Sequence, residues 1–439
     1  MKTPSVTSYS PILLGAFLLL SCEPTYESLC EPDDLPTRNI QVGDLELFRR
    51  APLGGVCGPA FATAADIDGD TVPELIVAGY GKTEDSLSVA PGSIAAIPLD
   101  GSAPQVLLAE EDQLRFPHRP FPFDVDEDGD IDLIVGLGFF PCTFVPFGQP
   151  CGGLVIMRND GRGGFEIDPI VEPGTPEFFH GVDVGDIDND GLLDLVTVAE
   201  RRDSPFSGST AETVVFPGIE RGFSKERKVL AEGLGPFPQI FDVNDDGNLD
   251  IAGAGFFGER PGYSWLQNKD GDFIRSDIDT EAGPSIQFWL SREILPGKLV
   301  GLGSNHANPV RTPDGPDARF SMFIAPDDPD ARDVPWEEVV LIDDFEPENR
   351  SGQLSPGVFG FGDVNQDGFL DVVLSADGDP RIFLLLNGPD GLKPHVIADD
   401  MRQAGGALIF DVDQDGDQDI VMTAYEADAI VVFENKEVD

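Results

Sequence analysis

Short runs of valine, isoleucine and leucine recur along the chain, and each opens where an acidic stretch ends. LIV begins at Leu75 and again at Leu133, and LVTV, IAGAG, VVL and IVM begin at Leu195, Ile251, Val372 and Ile420. Runs this short and this rich in β-branched residues predict buried strands rather than helices. Apolar segments also precede the acidic stretches, as at 61–65 and 406–410, so each acidic stretch predicts a hairpin turn between two strands. Further strands are predicted in GSIAAIPL from Gly92, GLVIMRN from Gly153, TVVFPG from Thr213, RIFLLLN from Arg381 and AIVVFEN from Ala429.

The spacing of the acidic turns sets the architecture. They start at Asp66, Asp124, Asp186, Asp242, Asp363 and Asp411, which are 58, 62, 56, 121 and 48 residues apart. The doubled interval predicts a unit that has lost its acids. IQFWL from Ile286 and LVGLG from Leu299 supply its strand pair, joined through SREILPGK. Seven units of about four short strands predict an all-β, seven-bladed β-propeller over residues 39–439. Only 29 residues run from Asp411 to the last residue, too few for a complete blade. The alternating segment from Asn39 to Phe48 is therefore expected to pair with the last blade, closing the ring and removing its open edges.

The turns share the pattern Asp-x-(Asp/Asn)-x-Asp-(mostly Gly)-x-x-(Asp/Glu). Acids at positions 1, 3 and 5 of a tight loop converge on one point, a carbonyl at position 7 joins them, and the acid at position 9 closes the cage. A hard oxygen set of that size suits Ca²⁺. An EF-hand would need flanking helices and a glutamate at position 12, where these loops have strands. The expectation is one Ca²⁺ per loop, about six in all, held by Asp66, Asp68, Asp70 and Glu74; by Asp124, Asp126, Asp128 and Asp132; by Asp186, Asp188, Asp190 and Asp194; by Asp242, Asn244, Asp246 and Asp250; by Asp363, Asn365, Asp367 and Asp371; and by Asp411, Asp413, Asp415 and Asp419.

On these motifs the chain resembles the FG-GAP/VCBS repeat family, which includes the integrin alpha-chain propeller. The resemblance implies calcium at the same loop positions. It departs at Thr71, which replaces the position-6 glycine, at Glu74 and in the acid-free fifth unit, where no seventh ion is expected. The first site and the two with Asn244 and Asn365 are expected to be weaker. The family is functionally diverse, so the resemblance implies fold and metal, not partner.

Residues 1–21 look like a lipoprotein signal peptide, with Lys2 ahead of an apolar stretch from Ile12 to Leu20 and then Ser21-Cys22. Cleavage before Cys22 would leave it to carry the lipid, and the stretch is too short to span a bilayer. The alternative is an ordinary secretion signal. Residues 22–38 read as an acidic, proline-bearing tether, and Glu23 favours the outer over the inner membrane. Four cysteines remain. Cys142 with Cys151, across a short loop, and Cys30 with Cys57 are the expected disulfides; other pairings stay open from sequence, and free buried thiols are the further alternative.

Against 28 lysines and arginines stand 80 acids, 26 of them in the six loops, for a net charge of −52. Six Ca²⁺ would bring this to about −40. Such a field argues against nucleic acid and leaves the lipid anchor as the membrane contact. No HExxH, GxSxG, Walker or GxGxxG context occurs, so no enzymatic activity is predicted. Calcium loops on one rim put the loops that leave the second strands on the other. His118, His180, Arg201, Arg202, Arg260 and His306, with Tyr80, Phe256, Phe257 and Tyr425, are placed there as a ligand rim for a protein or glycan at the cell envelope. The alternatives are loop residues paired with local acids such as Glu200 and Glu259, a transition-metal site on the histidines, a carbohydrate- or phosphoester-active enzyme, and a structural subunit.

Overall fold

The computed structural model describes residues 29–436 except 83–89, 100–101, 110–111, 140–141, 143–149, 203–208, 258–259, 310–311, 348–353 and 402. The predicted signal peptide, Cys22 and the tether up to residue 28 lie outside the described residues. Seven antiparallel sheets of four or five strands form the blades of a β-propeller, as the repeat predicts. No α-helix occurs among the described residues, and no helix there is long and apolar enough to cross a membrane. The second strands of blades 1 to 7 are Glu74–Gly79, Asp132–Leu137, Asp194–Arg202, Asp250–Gly255, Val300–Asn305, Asp371–Ser375 and Asp419–Ala424. Each is preceded by a first strand across its turn. In the acid-free blade 5 that strand is Ser285–Ser291, matching the predicted pair.

Second strands read as unbroken apolar runs because both of their faces are buried. Ile76 and Ala78 pack toward Leu133, Val135 and Leu137 of blade 2, while Leu75 and Val77 pack toward Val421 and Ile430 of blade 7. Seven apolar clusters result, one in each gap between neighbouring blades. At roughly 1.5–3 kcal/mol per buried aliphatic side chain, these gaps are the main source of stability. Near the axis the chains crowd: a side chain at Gly360 would bring its Cβ to 2.7 Å from the Ala407 carbonyl.

The N-terminal segment closes the ring, with one difference from the expectation. It forms two strands, Arg38–Val42 and Leu45–Arg49, because Gly43 turns the chain at φ +62. Leu45–Arg49 pairs with Ala429–Asn435, so blade 7 has five strands drawn from both ends of the chain. Arg49, one residue beyond the segment singled out by alternation, is fully buried. It grips Asp400 through two nitrogens at 2.5 and 2.9 Å and donates to Pro36 O at 2.8 Å. Before it, Leu29–Cys30 pairs with Gly55–Val56, and the disulfide Cys30–Cys57 fastens this segment to blade 1. Cys142 and Cys151 form the second disulfide.

Candidate metal loops and the opposite mouth

The six acidic turns fold alike. In each, the position-1 carboxylate accepts backbone N–H groups from positions 4 to 6: Asp124 accepts from Asp128 at 3.1 Å and Gly129 at 3.0 Å, and Asp363 from Asp367 at 3.0 Å and Gly368 at 2.9 Å. Position 6 is left-handed, which glycine adopts without strain, as at Gly129 and Gly416. In the first loop Thr71 takes that conformation at φ +77, and a glycine, Gly69, stands instead at position 4. A β-branched residue there costs on the order of 1–3 kcal/mol, a physical reason for the first loop to differ from the rest.

Position 9 does more than the sequence pattern suggests. One carboxylate oxygen accepts the N–H of position 2, from Val125 to Asp132 at 3.2 Å and from Val412 to Asp419 at 2.9 Å. The other accepts an N–H from the end of the third strand, Asn159 to Asp132 at 2.8 Å and Asn435 to Asp419 at 2.7 Å. The same asparagines reach the neighbouring blade. Asn159 Nδ2 donates to Ile67 O, Asn268 to Ile187 O, Asn387 to Ile294 O and Asn435 to Val364 O, at 2.6–2.9 Å. Blade 5 has no acid loop, yet its Arg292 donates to the carbonyls of Asp242 and Val243 in the loop of blade 4. These contacts at the turns tie blade to blade across five of the seven gaps. Pattern reading missed these asparagines, although GLVIMRN, RIFLLLN and AIVVFEN all end in one.

Four loops bring three carboxylates within 4.8 Å of one another: Asp66, Asp68 and Asp70; Asp124, Asp126 and Asp128; Asp186, Asp188 and Asp194; and Asp411, Asp413 and Asp419. These groups could hold a metal ion. In the loops of blades 4 and 6 the position-3 residue is an amide, and Asn244 and Asn365 donate to Asp246 and Asp367 at 3.0 and 3.1 Å. Blade 5 adds a carboxylate beside the first of these, with Asp330 Oδ1 3.1 Å from Asn244 Nδ2. The donor set fits a hard cation. In blade 7, Asp411 Oδ1 and both oxygens of Asp417 are buried with no hydrogen-bond partner, and buried carboxylate oxygens need a cation or a proton. Burial, with neighbouring acids added, pushes Asp419 up to about 7 and Asp371 up to about 6. Asp126 is the exception in its surroundings, since Arg221 donates to it at 2.9 Å and Arg158 stands 3.7 Å away.

The opposite rim holds a continuous arc of side chains. Ring centroids are 6.3 Å apart for Tyr425–Tyr80, 6.4 Å for Tyr80–Phe139, 5.7 Å for Phe139–His180 and 5.6 Å for His180–Phe178. The arc continues through Phe178–Phe257, Phe257–Phe256 and Phe256–His306, and His306 Nε2 lies 3.4 Å from Asp377 Oδ2. All seven blades contribute. His118 and His180 meet at 4.2 Å. Gly138 O accepts from His118 Nε2 at 2.8 Å, so Nδ1 is the acceptor for the Tyr80 hydroxyl at 2.9 Å. His306 Nδ1 donates to Pro356 O at 2.7 Å. With both ring nitrogens of His118 and His306 facing protein groups, the transition-metal alternative loses its ligands. His180 Nδ1 stands 2.5 Å from Glu200 Oε2, both buried, in a contact poorly aligned for a hydrogen bond. Burial drives His180 down to about 3, His306 down to about 4, Asp377 up to about 7 and Glu200 well above the carboxylate range.

The predicted arginines are placed differently from the histidines. Arg260 pairs with Asp277 on the outer strand of its own blade. Arg201 lies opposite Glu177, whose carboxyl is held down by Arg227 and, less, by Arg201. Arg202 ends the same second strand. Phe139, Phe178 and Asp377 join the arc unpredicted; Phe139 and Asp377 each follow a second strand as Tyr80 and Tyr425 do.

Fold and loops together define a seven-bladed propeller with repeated acidic hairpins. The FG-GAP-like repeat family matches residues 124–197 and 363–422, each window running from one acidic loop through the second strand of the next blade. Integrin alpha-7 of Rattus norvegicus and of Mus musculus are each 27% identical over 133 residues, 30% of this chain. The matched segment covers 11% and 10% of those proteins, about a tenth of the length of these curated relatives. Among solved structures, an oligogalacturonate lyase in complex with manganese is 13% identical with a TM-score of 0.48, over 93% of this chain and 98% of that one. A rhamnogalacturonan lyase of Bacillus licheniformis is 12% identical with a TM-score of 0.46, over 90% and 80%. An auxiliary nutrient binding protein of Bacteroides thetaiotaomicron is 8% identical with a TM-score of 0.40, over 88% and 70%.

Proposed function

We propose that this chain is a calcium-stabilised propeller of the FG-GAP/VCBS kind, lipid-anchored at the bacterial cell envelope, where it acts as a binding or scaffold module for a protein or glycan. The observation that carries the reading is the division between the two rims. One rim is given to acidic hairpins that lock blade to blade. The other gathers aromatic rings, histidines and Asp377 around a single mouth, the mix of ring faces and placed polar groups that suits ligand binding. Bound Ca²⁺ would supply the positive charge that lets three or four carboxylates share one turn. Asp66, Asp124, Asp186, Asp242, Asp363 and Asp411, with the acids and amides that follow them, would hold it.

The test is thermal unfolding of the Cys22→Ala chain with calcium and with chelator, together with a bound-calcium count. About six ions and a chelator-induced fall in Tm of roughly 10 °C or more are expected. A count near zero with an unchanged Tm would reduce the loops to acidic turns and sink the calcium reading. The envelope location rests on residues 1–22. Lipidation at Cys22 predicts that the unmutated chain fractionates with membranes and that Cys22→Ala releases it, and continued membrane retention of the variant would refute the anchor.

A further inference from the structure

The chain enters the propeller on the mouth rim, beside the aromatic arc. Tyr425 and Ala427 follow the second strand of blade 7, and Ala427 O accepts from Asp33 N at 2.8 Å. Leu29 pairs with Val56 and Cys30 with Gly55, on the segment that leads into the first strand of blade 1, Pro59–Ala65. Cys57 O accepts from Gly81 N, just past the second strand of blade 1, at 3.0 Å, and Gly58 N donates to Asp428 Oδ1 at 2.7 Å. A side chain at Gly58 would bring its Cβ to 2.8 Å from the Tyr425 ring. Leu29 and Cys30 therefore lie between blades 7 and 1, at the strand ends that carry Tyr80 and Tyr425 and away from the acidic hairpins.

The disulfide Cys30–Cys57 fixes this point of entry. Seven chain steps separate Cys22 from Leu29, and they span at most about 25 Å. Without the disulfide and the short pairing beside it, the first residue held in a blade would be Arg38, 16 steps from Cys22, and the reach would grow to about 55 Å. The second strand of blade 1, six residues long, puts about 20 Å between the two rims. To turn the acidic hairpins toward a membrane, the tether would have to run back along that height and around the turns, using up nearly all of its reach. Charge points the same way. Of the 80 acids, 26 sit in the six hairpins, and an anionic lipid surface repels the rim that carries them.

We propose that the short tether holds the propeller with its mouth toward the membrane that carries the lipid on Cys22, making the mouth rim the membrane-facing surface. The orientation rests on lipidation at Cys22 and is independent of the calcium reading. A ligand of the mouth then lies in the gap between rim and bilayer, at most about 25 Å deep beside blades 7 and 1. Such a gap admits groups carried by that membrane and excludes bulky ligands arriving from solution.

The test is energy transfer from a fluorophore on either rim of blade 5 to an acceptor-labelled lipid, with the full lipidated chain inserted into preformed vesicles of phosphatidylethanolamine and phosphatidylglycerol. Asp314→Cys puts the label on the mouth rim and Lys298→Cys puts it on the opposite rim, both at exposed positions of a blade distant from the tether. Transfer from position 314 should exceed that from position 298 by about twofold or more, because the rims stand about 20 Å apart. Equal transfer, or stronger transfer from position 298, overturns the orientation. Flotation of the same samples with the vesicles, and its loss in Cys22→Ala, reads the anchor separately. A chain that floats without the asymmetry keeps the anchor and loses this orientation, whereas a chain that does not float, or a Cys22→Ala variant that still does, removes both.

Discussion

The two rims of this propeller are built by opposite strategies. On the loop rim one nine-residue turn recurs six times, and its position-9 acid makes the same two backbone hydrogen bonds in blade after blade, as at Asp132, Asp250, Asp371 and Asp419. On the mouth rim the blades share less: Tyr80 and Tyr425 repeat in blades 1 and 7 and His118 and His180 in blades 2 and 3, but the other positions differ. Blade 1 contributes Tyr80, blade 2 Phe139, blade 5 His306 and blade 6 Asp377, each from the segment that follows a second strand. Repetition serves stability, because every gap between blades poses the same packing problem. Under the proposed binding role, variation would serve recognition, because a ligand at the mouth would meet a different set of residues from each blade.

The sharpest way to break this comparison lies within the loop rim itself. Asp419 is 1% exposed and satisfies two buried N–H groups, whereas Asp128 is exposed and accepts only from Asp130. Asp419→Ala should cost roughly 2–5 kcal/mol even in calcium-free protein, from two buried donors left unpaired. Asp128→Ala should lose one ion from the count. In calcium-free protein it should be neutral or slightly stabilising, since it removes a like charge beside Asp124 and Asp126. Chemical denaturation of both variants with and without calcium reads these signs. Equal losses for the two in chelator would show that position 9 has no separate structural role.

How much of this was legible follows from the same contrast. The second strands betray themselves as continuous apolar runs because Ile76 and Leu75 alike are buried, on opposite faces. Six copies of one acidic pattern make the loops readable, and blade 5 is readable because Ser285–Ser291 and Val300–Asn305 survive without the acids. Asn159, Asn268, Asn387 and Asn435 were in plain view, but nothing local distinguishes an asparagine that bridges two blades from one that ends a strand. Arg49 is harder still, since it is defined by Asp400, 351 residues away. His118 and His180 share a register visible in the sequence, six residues before an acidic loop, and their rings lie 4.2 Å apart. Arg260, expected on the ligand rim, pairs with Asp277 on the outer strand of its own blade, because leaving a second strand fixes a rim but not a direction.

The smallest expected effect concerns the mouth, where His180 and Glu200 share a buried contact. Burial raises Glu200 far above an ordinary carboxyl, so the folded protein keeps it protonated at a pH where the unfolded chain has released that proton. A group raised on folding contributes stability that is complete below its unfolded pKa and is lost as pH rises through the folded value. His180, pushed down to about 3, works the other way: it stays neutral when the unfolded histidine is already charged, and its contribution is lost as pH falls from the unfolded value toward 3. The pair together therefore favours the window between the two unfolded values, about pH 4.5 to 6.5. Glu200→Gln keeps a neutral, similarly shaped side chain beside His180 and removes only the proton uptake. Wild type should lose stability relative to Glu200→Gln as pH rises above about 4.5, by no more than about 1.4 kcal/mol per pH unit, since His180 is common to both proteins and cancels. Denaturation midpoints of both proteins from pH 5 to 9 measure the difference. Parallel curves would mean that Glu200 is ionised in the folded state, making the buried contact an ion pair with a protonated His180 and giving the mouth a fixed dipole in place of a neutral wall.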